Sequence, residues 1–190
     1  MDTAAELFYE RGIAATGVDV VVAAAGVSKP TLYAHFGSKS ELVAAVLQRR
    51  HSRRVASLQA WVAAAPAEPR ERLLAVFDWL AEFYLAEGAR GCAFLNAAAE
   101  TPEPGDPTRE VARRHKCWTR DYLAGLAADA GLADPVRLGS ELLLVVDGAS
   151  SRMVVEGGPD TAREIASQAH RVATVLVDAA GIAGHRAGLL

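Results

Sequence analysis

Cysteine is nearly absent from this chain, with two in 190 residues, Cys92 and Cys117. Two thiols at that separation give neither a disulfide framework nor a metal-ligand spacing, so free thiols and a cytoplasmic location are expected. Aromatics are scarce, at 6 %. No apolar run reaches the ~18 residues that a membrane span needs. No basic segment followed by an apolar one marks a secretory signal. Strong positive charge is also missing, because the net charge is −3. There is no phosphate-cradling glycine loop, no nucleophile elbow and no His-Glu-x-x-His pair, so no catalytic residue, metal or cofactor is assigned. His115 and Cys117 lie two apart on a predicted helix, and their side chains diverge too far to act as a dyad.

What is abundant is alanine, leucine and valine, which suits helices, and the length suits one or two domains. Charge is uneven along the chain. Residues 1–56 carry seven Lys/Arg against five Asp/Glu, and residues 57–190 carry thirteen against eighteen. A mildly basic head on an acidic body agrees weakly with nucleic-acid contact. Arg49, Arg50, Arg53 and Arg54 read first as a solvated helix face, with acidic groups of the body as the alternative partners.

The most informative stretch runs from Val27 to Lys39. Ser28 is placed to cap a helix, and Val27 and Leu32 have the spacing of a hydrophobic staple. Leu32 and Phe36 are four apart and can both point into a core. Lys29, Thr31, Tyr33 and His35 are then left outside as hydrogen-bond donors, which a phosphate backbone and a major groove require. Before this stretch, Thr3 to Gly12 reads as a helix with Thr3 and Glu6 at capping-box spacing. Val18 to Ala25 reads as another, closed by Gly26. Helix, short glycine turn and helix is the helix-turn-helix pattern. Ser38 and Glu41 then open a long helix through Leu42, Val43, Val46 and Leu47.

Residues 1 to about 50 resemble the amino-terminal domain of TetR/AcrR-family transcriptional repressors. The marks are Ala5, Leu7-Phe8, Gly12, Thr16, Ala25-Gly26-Val27-Ser28, Leu32-Tyr33, His35-Phe36, Lys39 and Leu42. The resemblance implies a dimeric repressor that binds double-stranded operator DNA and is released by a small-molecule effector. Carried onto this sequence, Thr16, Ser28, Tyr33 and Lys39 would mainly touch phosphates. Lys29, Pro30, Thr31 and His35 would face base edges, with Pro30 against a thymine methyl. Relatives usually carry a basic arm and another turn before the Leu-Phe pair. Here the first helix starts almost at Met1, either because it is short or because the start was placed late, and such an arm's phosphate contacts would be missing. Gly17 stands where a Ser or Thr often opens the second helix. Asp19 suits that helix's dipole but not a nearby phosphate.

Prolines and glycines organise the remainder. Helices are expected over 39–64, 70–87, 92–100, from Asp106-Pro107 to about Ala130, from Asp134-Pro135 to Gly157, and from a Thr161–Glu164 box to Gly181, with an aperiodic tail from Ile182 to Leu190. The fold expected is all-α with about nine helices: a helix-turn-helix DNA-binding domain at 1–50 and a helical effector-binding and dimerisation domain at 51–190. Leu142 to Val146 is apolar nearly all round, small residues follow it, and alanines run along the last helix. In the family resembled, these last two helices form the homodimer. Effector-binding candidates are Trp79, Phe83, Phe94, Asn96, Trp118, Tyr122 and Met153, aromatic walls with a few polar groups. They imply an unknown small molecule that would shift the helix near 91–99 and, through the helix at 39–64, spread the two reading heads. Alternatives are a helical small-molecule or redox sensor with weakened DNA binding, with Cys117 activated by Arg113, Arg114 and Lys116, and an enzyme using the aromatic pocket.

Overall fold

The structure is a computed structural model that describes the backbone of residues 1–187 and the side chains of residues 1–181. Among the described residues there are nine helices and no strand. They are α1 (Asp2–Arg11), α2 (Val18–Ala25), α3 (Lys29–His35), α4 (Lys39–Ala64), α5 (Pro69–Ala86), α6 (Ala93–Ala99), α7 (Pro107–Asp129), α8 (Pro135–Glu156) and α9 (Pro159–Ala187). Several helix starts follow from a nearby residue. Ser28 accepts the Thr31 N–H at 3.2 Å, Glu68 that of Glu71 at 2.8 Å, and Asp134 that of Arg137 at 3.2 Å. Proline stands at the head of α5, α7, α8 and α9, where no N–H is needed.

Three expected boundaries differ. α1 starts at Asp2 with Met1 as its cap and no side-chain bond, so Thr3 sits inside the helix. α9 starts at Pro159, which leaves Thr161 inside as well. α9 also runs past Gly181 to Ala187, because glycine costs an exposed helix only about 1 kcal/mol. Beyond Ala187 the expected aperiodic tail lies outside the described residues.

The chain forms two compact units. The first holds Met1–Arg54 and Ala93–His115. Its core is Leu7, Phe8, Val21, Val22, Leu32, Leu42, Val43, Val46 and Leu47, with Phe94, Ala97, Val111 and Ala112. The second holds Val55–Cys92 and the chain from Lys116 onward. Its centre is α5, which is buried on most sides through Leu73, Leu74, Val76, Phe77, Trp79, Leu80, Phe83 and Tyr84. Buried polar tips on α5 are satisfied. The Trp79 indole donates to Ser57 Oγ at 3.1 Å, and the Tyr84 hydroxyl meets Ser150 Oγ at 3.1 Å. The alanine stripe of α9 is buried, Ala162, Ala169, Ala173 and Ala180 in this core and Ala166 beside it, so it seats the helix on its own chain.

One glycine in this unit has no substitute. Gly91 sits at φ +67°, and a Cβ there would lie 2.3 Å from the Ser150 carbonyl oxygen. Both the left-handed backbone and the close approach exclude a side chain. Gly125, in α7, has nothing within 4 Å of its Cβ position. Gly91→Ala should therefore destabilise the protein by about 3 kcal/mol or more, while Gly125→Ala leaves it unchanged or raises stability by up to about 1 kcal/mol. Urea denaturation of the two variants checks this contrast.

Candidate nucleic-acid interface

The turn before α3 is built by Gly26. It adopts the left-handed conformation (φ 64°, ψ 30°), and its N–H reaches Ala23 O at 3.3 Å while the Val27 N–H reaches Val22 O at 3.1 Å. This paired closure ends α2 and redirects the chain. Ser28 then caps α3, and its Oγ also meets Thr31 Oγ1 at 2.8 Å. Leu32 is 5 % exposed and anchors the helix inward. Ser28, Lys29, Pro30, Thr31, Tyr33 and His35 all lie exposed, on one short helix and its cap. Val27, at the head of the expected staple, is 43 % exposed.

The lysines are tied. Lys29 Nζ lies 2.7 Å from Asp19 Oδ1, and this hydrogen bond and charge hold its ammonium above its ordinary pKa. Lys39 donates to the Ile13 carbonyl at 2.5 Å and is half-buried. Thr16 departs from its expected role. It is fully buried, and its hydroxyl donates to Gly12 O at 2.7 Å and lies 3.3 Å from Leu7 O. That hydroxyl fastens the turn between α1 and α2 and is not offered to a phosphate in this conformation.

Several contacts have no signature in local sequence. Glu100, just past α6, accepts the Ala14 N–H at 2.7 Å. Ser40 near the start of α4 donates to Asp106 and meets Thr108 Oγ1 at 3.0 Å. The arginines of α4 are not simply solvated. Arg49 and Arg53 pair with Asp2, Arg50 lies over the Tyr9 ring at 4.3 Å, and Arg54 lies over Phe94 at 5.5 Å. Phe94 in turn stacks on His115 at 3.7 Å, and His115 Nδ1 lies 3.0 Å from His51 Nδ1.

Of the seven effector candidates, Trp79, Phe83 and Met153 lie in one buried cluster, with Trp118 and Tyr122 packed against it. Phe94 and half-buried Asn96 belong to the first unit, and the other five to the second. Trp79 and Phe83 stack at 5.1 Å and are buried. Trp118 and Tyr122 stack at 5.0 Å and are half-buried, and burial pushes the Tyr122 phenol up. Met153 lines a cavity of about 130 Å³ with Tyr84 and Leu85. A groove of about 280 Å³ between α5 and α9 has Phe77, Ala81 and Ala166 beside Asp78 and His170, which pair at 2.8 Å, and contains none of the seven. Near Cys117, Lys116 is paired with Asp147 and Arg113 with Glu110.

Comparison with known proteins fits this arrangement. Residues 1–46 match the family described as bacterial regulatory proteins, tetR family. A regulator of the TetR class from Streptomyces avermitilis is 34 % identical, covers 94 % of both chains and superposes with a TM-score of 0.79. The chain belongs to the TetR family. A TetR-family transcriptional regulator from Streptomyces coelicolor, 29 % identical, has a TM-score of 0.85 over 95 % of this chain and 93 % of its own. The transcriptional activator FasR of Mycolicibacterium smegmatis is 41 % identical over 80 residues, 42 % of this chain and 36 % of FasR. The chain spans between 36 % and 58 % of the curated relatives it matches. No helix among the described residues is long and apolar enough to cross a membrane.

The histidine pair generates a pH prediction. Burial first, and then the charge of Arg114, lower the His51 pKa from its ordinary 6.5. The fold therefore favours neutral His51, whereas the unfolded chain takes up a proton near 6.5. Stability contributed here is intact above that value and is lost as pH falls below it, down to the folded pKa. Urea denaturation at about pH 7.5 and about pH 5.5 should show a larger acid loss for the wild type than for His51→Gln. Equal losses would mean that the site of His51 does not discriminate against the proton.

Proposed function

We propose that this TetR-family regulator is a homodimeric repressor that acts in the cytoplasm, binds operator DNA through α3 and is released by a small-molecule effector. The observation that carries the reading is the exposed donor face of α3, fixed by the Ser28 cap, the Leu32 anchor and the Gly26 turn. A rigid short helix of this kind fits a major groove, with Lys29, Pro30, Thr31 and His35 toward base edges and Ser28, Tyr33 and Lys39 toward phosphates.

Dimerisation is supported by the apolar residues that α8 and α9 leave uncovered. Leu144 is 73 % exposed and Val155 84 %, and Gly148 and Ser151 lie on the same face. On α9, Val172 and Val175 are exposed at helical spacing. Such stripes favour a two-fold partner, and a pair of reading helices one helical turn of DNA apart is what operator geometry demands. For the effector, the half-buried Trp118–Tyr122 stack offers an aromatic surface, alongside Trp79, Phe83 and Met153. α4 and α7 each begin in the first unit and continue unbroken into the second, so a ligand-induced change can travel along them. The ligand has to prefer the non-binding arrangement to act this way.

The test starts with a duplex enriched from a random pool by the wild-type protein. Affinity for it should fall as salt rises. Tyr33→Ala should weaken binding to every duplex by a similar factor. The double variant Leu144→Asp, Val175→Asp should sediment as a monomer and lose at least tenfold in affinity, since one head alone keeps only half the contacts. A wild-type monomer that enriches no duplex would overturn the reading. A reporter placed behind the enriched duplex should rise when the regulator is removed; a fall would make it an activator, as FasR is.

A further inference from the structure

We propose that Asp19 sets the sequence selectivity of the reading helix, holding the Lys29 ammonium for a base edge and keeping backbone phosphates from taking it. The assignment rests on the duplex-binding reading above. Lys29 is the first residue of α3 and Asp19 the second of α2, and their charged atoms lie 2.7 Å apart across the Gly26 turn. Both side chains are open to solvent, at 51 % and 78 % exposure, so both stand where DNA would arrive. α3 itself carries no acid, and Tyr33 lies one turn further along the same helix.

A lysine that is free to swing is a mobile point charge, and it takes whichever phosphate is nearest whatever the base sequence. The Asp19 carboxylate changes both halves of that behaviour. It repels a phosphate that approaches the same ammonium. It also occupies only one of the three ammonium protons, so two remain for neutral acceptors. The acceptors a duplex offers there without added negative charge are base edges, above all the guanine O6 and N7 pair. Gly17, the residue that caps α2, brings no side chain to the helix end, so Asp19 is also the acidic group in the first turn of α2. Sequence-independent affinity is traded for discrimination between sequences.

The experiment measures affinity for the enriched duplex and for a scrambled duplex of the same length over a salt series. It uses the wild type, Asp19→Asn, Lys29→Ala and the double variant. Asp19→Asn should tighten binding to the scrambled duplex about fivefold and steepen its salt dependence by about one unit of slope. Binding to the enriched duplex should change by less than about twofold, so the ratio of the two falls. In the Lys29→Ala background, Asp19→Asn should leave that ratio almost unchanged, because the lysine through which it acts is gone. Melting temperatures within a few degrees of wild type establish that the variants are folded. Equal tightening on both duplexes would overturn the assignment, as would the same loss of ratio with and without Lys29. Failure of the wild-type protein to enrich any duplex would instead remove the duplex-binding reading, and this assignment with it.

Discussion

The position of α3, the proposed reading helix, depends on how the turn from Gly12 to Gly17 is held. α3 has seven residues and one buried side chain, Leu32. A helix that short does not fix its own orientation, and it takes one from α2 through the Gly26 turn. α2 is eight residues long, has no side-chain cap at its start, and begins where the 12–17 turn puts it. Three side chains converge on that turn from different parts of the first unit. Thr16 fastens it from within, Lys39 reaches it from the start of α4, and Glu100 reaches it from the end of α6. A buried hydroxyl with satisfied acceptors adds only about 1 kcal/mol in net terms, but an unmet partner costs more. What the clamp supplies is therefore direction more than stability.

This dependence also explains what could be read from the sequence. Helix ends are local events, and the Ser28 cap, the Gly26 turn and the Asp134-Pro135 start could all be seen in a few residues. The exposed face of α3 was legible for the same reason, because helical spacing around one anchor, Leu32, settles it. The burial of Thr16 escapes a local reading because it depends on contacts around the turn and not on its neighbours in sequence. Glu100 with Ala14, and His51 with His115, join residues 86 and 64 positions apart, and nothing in local pattern announces them. α9 shows a further limit. It carries two apolar faces, one of alanines and one with Val172 and Val175, and periodicity alone does not say which turns inward. Packing decides, because the small side chains let α9 lie close against its own core. The aromatic candidates shared helix faces as expected, yet spacing along a chain carries no information about which of two units will hold each ring.

The charge of the head bears on why two copies would be needed. Residues 1–56 hold seven cationic side chains, which looks like a basic surface. Six of them are engaged within the first unit: Lys29 by Asp19, Lys39 by Ile13, Arg49 and Arg53 by Asp2, Arg50 over Tyr9 and Arg54 over Phe94. Little mobile positive charge is left to grip phosphates indiscriminately. On the proposed reading, a single head adds to Lys29 and Lys39 only the neutral donors of Tyr33 and the Ser28 cap, and shape, which together would give modest affinity. Two such heads on the proposed two-fold body would bind the second half-site intramolecularly, at an effective concentration far above that of a free head. Weak heads also suit an effector-released switch. When each head holds little on its own, a small change in the spacing between them removes most of the joint affinity, and a ligand with only a modest preference for the displaced state suffices to move it.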